Sequence, residues 1–331
     1  MLARAAAWVD RAAFKPATLP DDLVTGIALA PPVVAGLIIF KFPAFQMLLV
    51  AIGFGAAAQL AARWIWRHTT PRPQASPVIA AVVGVALIGP AAGLAVTVEV
   101  AALAVVLEVL RARYIPAIRA QVGLLSYAAI ALVTRGAPYA YINPASGLPF
   151  GDPISTWYRF FSPDSAPIDP VRLYVGNVPG PVFATSLLAV AVGIAWLAYA
   201  RRVSIVVLLG FLVGAVLAVY WFHWDYAFQL DSGPTWFVGG LVLADRRLLP
   251  GSWAVRPLIG LAAGGLAVGL RRNGYGIEAA FLTIAAIQAV VAVFVVLLWS
   301  GSSGMERWRR TRRLRQREAY LKLVKPVSRA S

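Results

Sequence analysis

The sequence predicts an all-α polytopic membrane protein. It has about ten transmembrane segments in two inverted five-segment repeats, with short or broken helices. Three observations carry this expectation. Hydrophobic residues make up 60% of the 331 positions and charged residues only 13%, against roughly 25% charged in a soluble protein. Apolar runs recur from end to end and give a mean hydropathy of +0.74, the pattern of successive bilayer spans of about 20 residues. The same order of features also occurs in both halves. This composition excludes a secreted disulfide scaffold, a soluble dinucleotide-binding enzyme and a disordered chain. There is no Cys, so disulfides, thiolate zinc sites and cysteine-ligated iron–sulfur clusters held by this chain alone are excluded too. His68 and His223 are the only two His, too few for a multi-histidine metal or haem site.

The elements follow in chain order. Residues 1–21 form a cytoplasmic segment without a cleavable-signal pattern. The first repeat, 22–134, has full spans near 22–40 and 44–63, a short apolar stretch at 77–90, a full span at 91–110 and a short stretch at 121–134. Ser76-Pro77 opens the first short stretch and Pro90 closes it; Tyr114-Ile115-Pro116-Ala117 precedes the second. Residues 135–182 form one long outer loop. The second repeat, 183–300, has full spans near 183–200 and 203–222, a short stretch at 235–245, and full spans at 257–270 and 276–299. Gly233-Pro234 opens its short stretch, Pro250 follows it, and Tyr275-Gly276-Ile277-Glu278-Ala279 opens the last span. Pro90 to Tyr114 is 24 residues and Pro250 to Tyr275 is 25. Five segments per half is an odd number, so a second copy must be inverted in the membrane. Gly/Pro-interrupted segments at matching positions turn their ends toward a site near the midplane.

Cytoplasmic loops collect Lys and Arg. With both termini inside, fourteen cations in the first segment and inner loops and ten in the 301–331 tail fall on the cytoplasmic side, 24 of the 30. The net charge of +16 is then mostly topological and not a nucleic-acid signal. The tail, from Arg307 to Arg329 with Trp308, Leu314 and Tyr320 interleaved, reads as an anchor on anionic lipid, worth about 1 kcal/mol per cation near the surface. An acidic protein partner is the alternative.

The outer loop is rich in aromatic residues, among them Tyr139, Tyr141, Phe150, Trp157, Tyr158 and Tyr174. A flat ligand such as a flavin or quinone is one use for it, an interfacial aromatic belt the other. Ionisable residues inside spans are the next candidates. Glu99 and Glu108 share a helix but lie nine residues apart, on nearly opposite sides. Glu108 is placed to pair with Arg111, whereas Glu99 has no local partner and reads as a proton or cation site. Asp245 precedes Arg246 and Arg247, and Glu278 follows Arg271 and Arg272; pairing explains these as well as function does. His223 and Asp225 read as an outer aromatic belt. The Gly260–Gly265 stretch reads as close helix packing.

Several segments together resemble a known family, RnfD/NqrB, whose members are membrane proteins of the Rnf electron-transport complexes and of the sodium-pumping NADH:quinone oxidoreductase. Ser76-Pro77 through Gly89-Pro90 resembles its Ser-led third span. Gly176-Asn177-Val178-Pro179-Gly180 through Ala184-Thr185-Ser186 resembles the G-N-x-x-G-S-x-G-E-T-S entry to the sixth. Gly233-Pro234-Thr235 through Asp245 resembles the short segment closing in M-A-T-D-P. Arg256-Pro257 and Asn273-Gly274-Tyr275-Gly276 resemble the next helix and the G-G-Y-x-x-G entry to the last span. The likeness covers about 75–310 in order and spacing. It implies a membrane subunit relaying electrons through FMN or another flavin in a multi-subunit oxidoreductase, coupled to Na⁺ or H⁺ movement. It also implies other membrane and peripheral subunits as partners and a place in the inner (cytoplasmic) membrane.

The chain departs from the pattern at several points. The family's FMN-bearing D-x-x-S/T-G-A-T corresponds to Asp152-Pro153-Ile154-Ser155-Thr156-Trp157-Tyr158. Tyr158 stands where the acceptor Thr belongs, which argues against covalent attachment. Ala184 replaces the G-E-T-S glutamate, Ile115 the Asn of N-P-A, and Ala285 the Asn of the last span. The expected cofactor residues are Asp152, Ser155, Thr156, Tyr158, Gly176, Asn177, Gly180, Thr185 and Ser186, and the intramembrane ionisable ones are Glu99, Asp245 and Glu278. The alternatives are a transporter or export component for a small organic solute on the same inverted-repeat core, and a scaffold subunit without ligand.

Overall fold

Residues 19–67, 75–116, 118–154, 170–249 and 254–297 are described by a computed structural model. Each predicted apolar segment coincides with a helix. In chain order these are α1 (Asp21–Ile65), α2 (Pro77–Ala86), α3 (Gly93–Tyr114), α4 (Val122–Val133), α5 (Pro170–Val175), α6 (Leu187–Tyr199), α7 (Ile205–Phe222), α8 (Tyr226–Leu230), α9 (Gly233–Trp236, running on as a π-helix over Phe237–Leu243) and α10 (Val255–Gly269). The last is α11 (Glu278–Leu297). No strand occurs among the described residues, only isolated bridges such as Ile142 with Pro149. The chain is mostly helical and carries the apolar helices of a membrane protein.

Among the described residues four helices, α1, α3, α7 and α11, are long and apolar enough to cross a membrane. The helices α2, α4, α6 and the α9 segment are apolar but shorter. Twelve residues at 1.5 Å each cover about 18 Å of a hydrocarbon core about 30 Å thick. Their ends therefore need protein around them. Helix α1 is two helices joined at Lys41, whose φ of 51° and ψ of −120° break the ladder. The break falls between the predicted spans 22–40 and 44–63, beside Pro43, which has no N–H to donate.

Close backbone approach holds the bundle together. A Cβ on Gly214 would overlap the Leu261 carbonyl, and one on Gly264 the Phe211 carbonyl; one on Gly260 would overlap the Val207 carbonyl and one on Gly210, less severely, that of Pro257. Helices α7 and α10 thus meet along two small-xxx-small stripes, as expected for Gly260–Gly265. A Cβ on Gly123 of α4 would overlap the Ala80 carbonyl of α2. Between the first and second halves of the chain, Gly193 of α6 lies against the Ala28 carbonyl. There too the Trp196 indole donates to the Val24 carbonyl at 3.0 Å. The core around these crossings contains the fully buried Leu124, Tyr127, Phe183, Phe211, Phe237 and Phe281.

The chain divides into two compact units, Met1–Ala289 and Val290–Ser331. The first unit contains everything above except the end of α11. In the second, the described residues 290–297 are helical and expose Val290, Val293, Phe294 and Leu297. The basic tail from Arg307 to Arg329, expected to anchor on anionic lipid, lies outside the described residues.

Candidate functional site

The segments that carry the family likeness lie far apart in sequence, and part of each meets the others at one end of the bundle. The amides of Val182 and Phe183 donate to the carbonyls of Ile88 and Ala86, at 2.8 and 3.2 Å. A Cβ on Gly233 would overlap the Thr185 carbonyl. Gly176, at φ +91°, lets the chain double back, and a Cβ there would meet Ser186 and Thr185 backbone atoms. The Arg271 guanidinium donates through Nη2 to Thr235 Oγ1 at 2.6 Å. Residues 86–88, 176–186, 233–235 and Arg271 therefore lie together, while the opposite ends of two of these segments, at Ser76 and Asp245, lie elsewhere in the bundle.

A buried polar cluster lies at this convergence. The Tyr141 hydroxyl donates to Glu278 Oε1 at 2.8 Å. Asp152 accepts from the Ile154 amide at 2.9 Å. A Cβ on Gly276 would strike both the Asp152 and Glu278 carboxylates, so the two acids crowd the backbone at this glycine. Arg271 is completely buried, and its Nη1 donates to the Gln229 carbonyl at 3.0 Å and Oε1 at 2.6 Å. Burial pulls the Arg271 guanidinium down to about 10, while the charges of Asp152 and Glu278 act to hold it up. Burial pushes the Tyr141 and Tyr139 phenols well up, and the negative charge of Glu278 adds to it.

The expected cofactor residues separate into three groups. Asp152, Gly176, Gly180, Thr185 and Ser186 are buried, and Ser186 Oγ caps α6 by accepting from the Ala189 amide at 3.2 Å. Asn177 is exposed. Ser155, Thr156 and Tyr158 lie outside the described residues. Among the intramembrane candidates, Glu99 is exposed on α3. It is not gathered with Asp245 or Glu278 into one inward-facing site, because its helix turns it away from the side that buries Glu108. Glu108 pairs with Arg111 as expected, through Nε at 2.9 Å and Nη2 at 2.7 Å. Asp245 is buried and pairs with Arg247 at 2.7 Å, while Arg246 donates to the Val203 carbonyl. Glu278 takes the Tyr141 hydroxyl, a partner that sequence proximity to Arg271 and Arg272 did not indicate. Asp225 accepts from the Phe228 amide at 2.6 Å, a turn role consistent with the interfacial belt.

The end of the bundle that holds Asp245 contains a cavity of about 1220 Å³. Its floor is apolar and buried, from Ala28 and Leu29 of α1, Ala80 and Val83 of α2, Leu197 of α6 and Leu241 after α9. Two ion pairs stand in its wall, Glu108–Arg111 and Asp245–Arg247. Arg247 also donates to Thr25 Oγ1 at 2.8 Å, tying α1 to the second half of the chain. Ser76, beside α2, donates from its amide to Glu108 at 3.0 Å and from its hydroxyl to Asp22. Arg111 also donates to the Ile118 carbonyl at 3.1 Å, fixing the non-helical link before α4.

No family model and no curated protein matches this chain. What bears on function is therefore the chemistry of the two ends themselves. The Asp152 end is densely packed polar chemistry, and the Asp245 end is open volume with charged walls. Sequence inspection missed Arg271, Gln229 and Tyr141 as partners, and it missed the cavity. An arginine in a loop between two apolar helices was the one available signal for the first.

Proposed function

We propose that this chain is a membrane subunit of an RnfD-like electron-transport complex, working with membrane and peripheral partner subunits. The observation that supports this reading is that parts of the four resembling segments meet beside one buried polar cluster. On this reading the ten apolar segments form two inverted repeats with both termini cytoplasmic, and the Asp152 end faces outward. The family couples redox to Na⁺ or H⁺ movement, and the buried carboxylates of Asp152 and Glu278 are the residues here with the chemistry for a cation.

Flavin is the redox group the likeness implies, and the described residues do not fit it. Gly176, Gly180, Thr185 and Ser186 are occupied by packing and a helix cap. Asp152 sits beside Glu278, where a flavin phosphate would meet two carboxylates while Arg271 is engaged elsewhere. The test is an absorbance spectrum from 300 to 600 nm on the purified protein, before and after acid precipitation. Flavin released to the supernatant supports an electron-carrying subunit with a non-covalent cofactor. Flavin kept in the pellet supports it too, and means that Tyr158 does not prevent attachment. Folded protein without flavin in either fraction overturns the electron-relay role.

A second reading, transport of a small organic solute, is favoured by the cavity. Short helices beside a large cavity between the two halves of a chain are the arrangement of a solute path. Uptake into proteoliposomes tests it.

A further inference from the structure

We infer that the cavity at the Asp245 end is a binding site for an amphipathic organic anion, its apolar body on the floor and its acidic head among the rim arginines. This rests on the second reading only for what becomes of the bound molecule. The site itself stands on four features of the cavity.

The first is size. At about 1220 Å³ the cavity exceeds the roughly 300–1,000 Å³ that holds most small ligands. The second is the imbalance of its charges. Asp21 pairs with Arg202, Glu108 with Arg111 and Asp245 with Arg247. Arg63, Arg113 and Arg119 also line the cavity, and among the described residues no carboxylate pairs with them. Arg113 lies over the Trp66 ring at 5.7 Å. Against these three stands Asp22, hydrogen-bonded to Ser76. The rim therefore carries an excess of guanidinium, the planar fork suited to carboxylate or phosphate.

The third feature is the contrast between rim and floor. Arg63, Arg113 and Arg119 are exposed, whereas Ala28, Leu29, Ala80, Val83, Leu197 and Leu241 beneath them are buried. A small inorganic anion would satisfy the rim and leave the floor in contact with water. The fourth is an unused donor next to the wall. Gln288, only 4% exposed, accepts from the Gln121 amide at 2.9 Å, and its Nε2 has no partner among the described residues. Gln121 lines the cavity at the start of α4, where the helix dipole adds a partial positive charge.

An alkyl carboxylate from water and an anionic phospholipid from the membrane share this chemistry. The test uses the full chain in nanodiscs of phosphatidylcholine, titrated with octanoate, octanol and inorganic phosphate. Binding is followed by tryptophan fluorescence, with Trp66 at the cavity wall as reporter. Octanoate is expected to bind saturably, with octanol and phosphate at least tenfold weaker. The double variant Arg63→Gln/Arg119→Gln should weaken octanoate at least tenfold, while Arg135→Gln at the other end leaves it unchanged. Equal binding of octanol, an unaffected double variant, or no saturable octanoate binding overturns the inference. Repeating the titration in phosphatidylglycerol nanodiscs separates the sources. Loss of octanoate binding there identifies lipid as the occupant, and retention identifies an aqueous anion. Octanoate bound but not taken up by proteoliposomes keeps the site and removes the transport reading.

Discussion

Replacing Gly264 by Ala tests whether the α7–α10 contact depends on backbone approach. A Cβ at Gly264 would overlap the Phe211 carbonyl oxygen and stand 2.8 Å from its carbon and 3.0 Å from the Ala215 amide nitrogen. All three are backbone atoms of α7, so no side chain can turn aside, and the helices must separate or tilt. Overpacking of this kind costs about 1–3 kcal/mol. Ala gains about 1 kcal/mol over Gly in helix propensity, which offsets only part of that. Two neighbours serve as controls. A Cβ on Gly265 would meet only the Gly214 carbonyl at 3.6 Å, an ordinary contact, and one on Gly53 would meet nothing within 4 Å. Both lie inside helices, so Gly265→Ala and Gly53→Ala should be neutral or stabilising. Thermal unfolding in detergent, followed by the fluorescence of the 11 Trp, should place Gly264→Ala below the parent protein by several degrees and below both controls. A Gly264→Ala midpoint equal to or above that of Gly265→Ala would refute the packing argument.

Further outcomes are expected elsewhere. Arg247→Ala strands Asp245, which is 3% exposed, and should cost about 1–3 kcal/mol; Asp245→Asn in the same background should recover much of the lost unfolding midpoint. Glu99→Gln changes an exposed side chain and should shift stability by less than about 0.5 kcal/mol, whereas Glu278→Ala, which leaves the buried Tyr141 hydroxyl without its acceptor, should lower the midpoint clearly. The Tyr141 phenol is pushed up by burial first and by the Glu278 charge second. The folded state therefore keeps a proton that unfolded tyrosine loses near pH about 10, so this contribution is whole below that pH and is lost as pH rises above it. Tyr141→Phe should flatten the fall in denaturant midpoint between pH 9 and 11, without abolishing it, because Tyr139 is shifted the same way. An unchanged slope would contradict the assignment.

The sequence alone determined where the apolar helices are, but not the short helices Pro170–Val175, inside the expected 135–182 loop, and Tyr226–Leu230. Hydropathy is a local property, so each of the ten apolar segments coincides with a helix, and even the break at Lys41 falls between two separately predicted spans. Close glycine packing was legible in Gly260–Gly265 because the spacing of small residues is also local, and so was the Glu108–Arg111 pair, three residues apart on one helix. What tertiary structure decided is which polar groups lie together. Glu99 and Glu278 look alike in sequence, each an acid in an apolar run. One is exposed, and the other receives a hydroxyl from Tyr141, 137 residues away. Arg271 looked like a loop cation and is buried on Gln229 and Thr235. Asp152, expected to hold a cofactor, crowds against Gly276 and Glu278. The cavity has no signature in the sequence, because its floor comes from short apolar stretches on α1, α2, α6 and the segment after α9. Burial and pairing depend on contacts between distant segments, and hydropathy along the chain carries no information about which segments will meet.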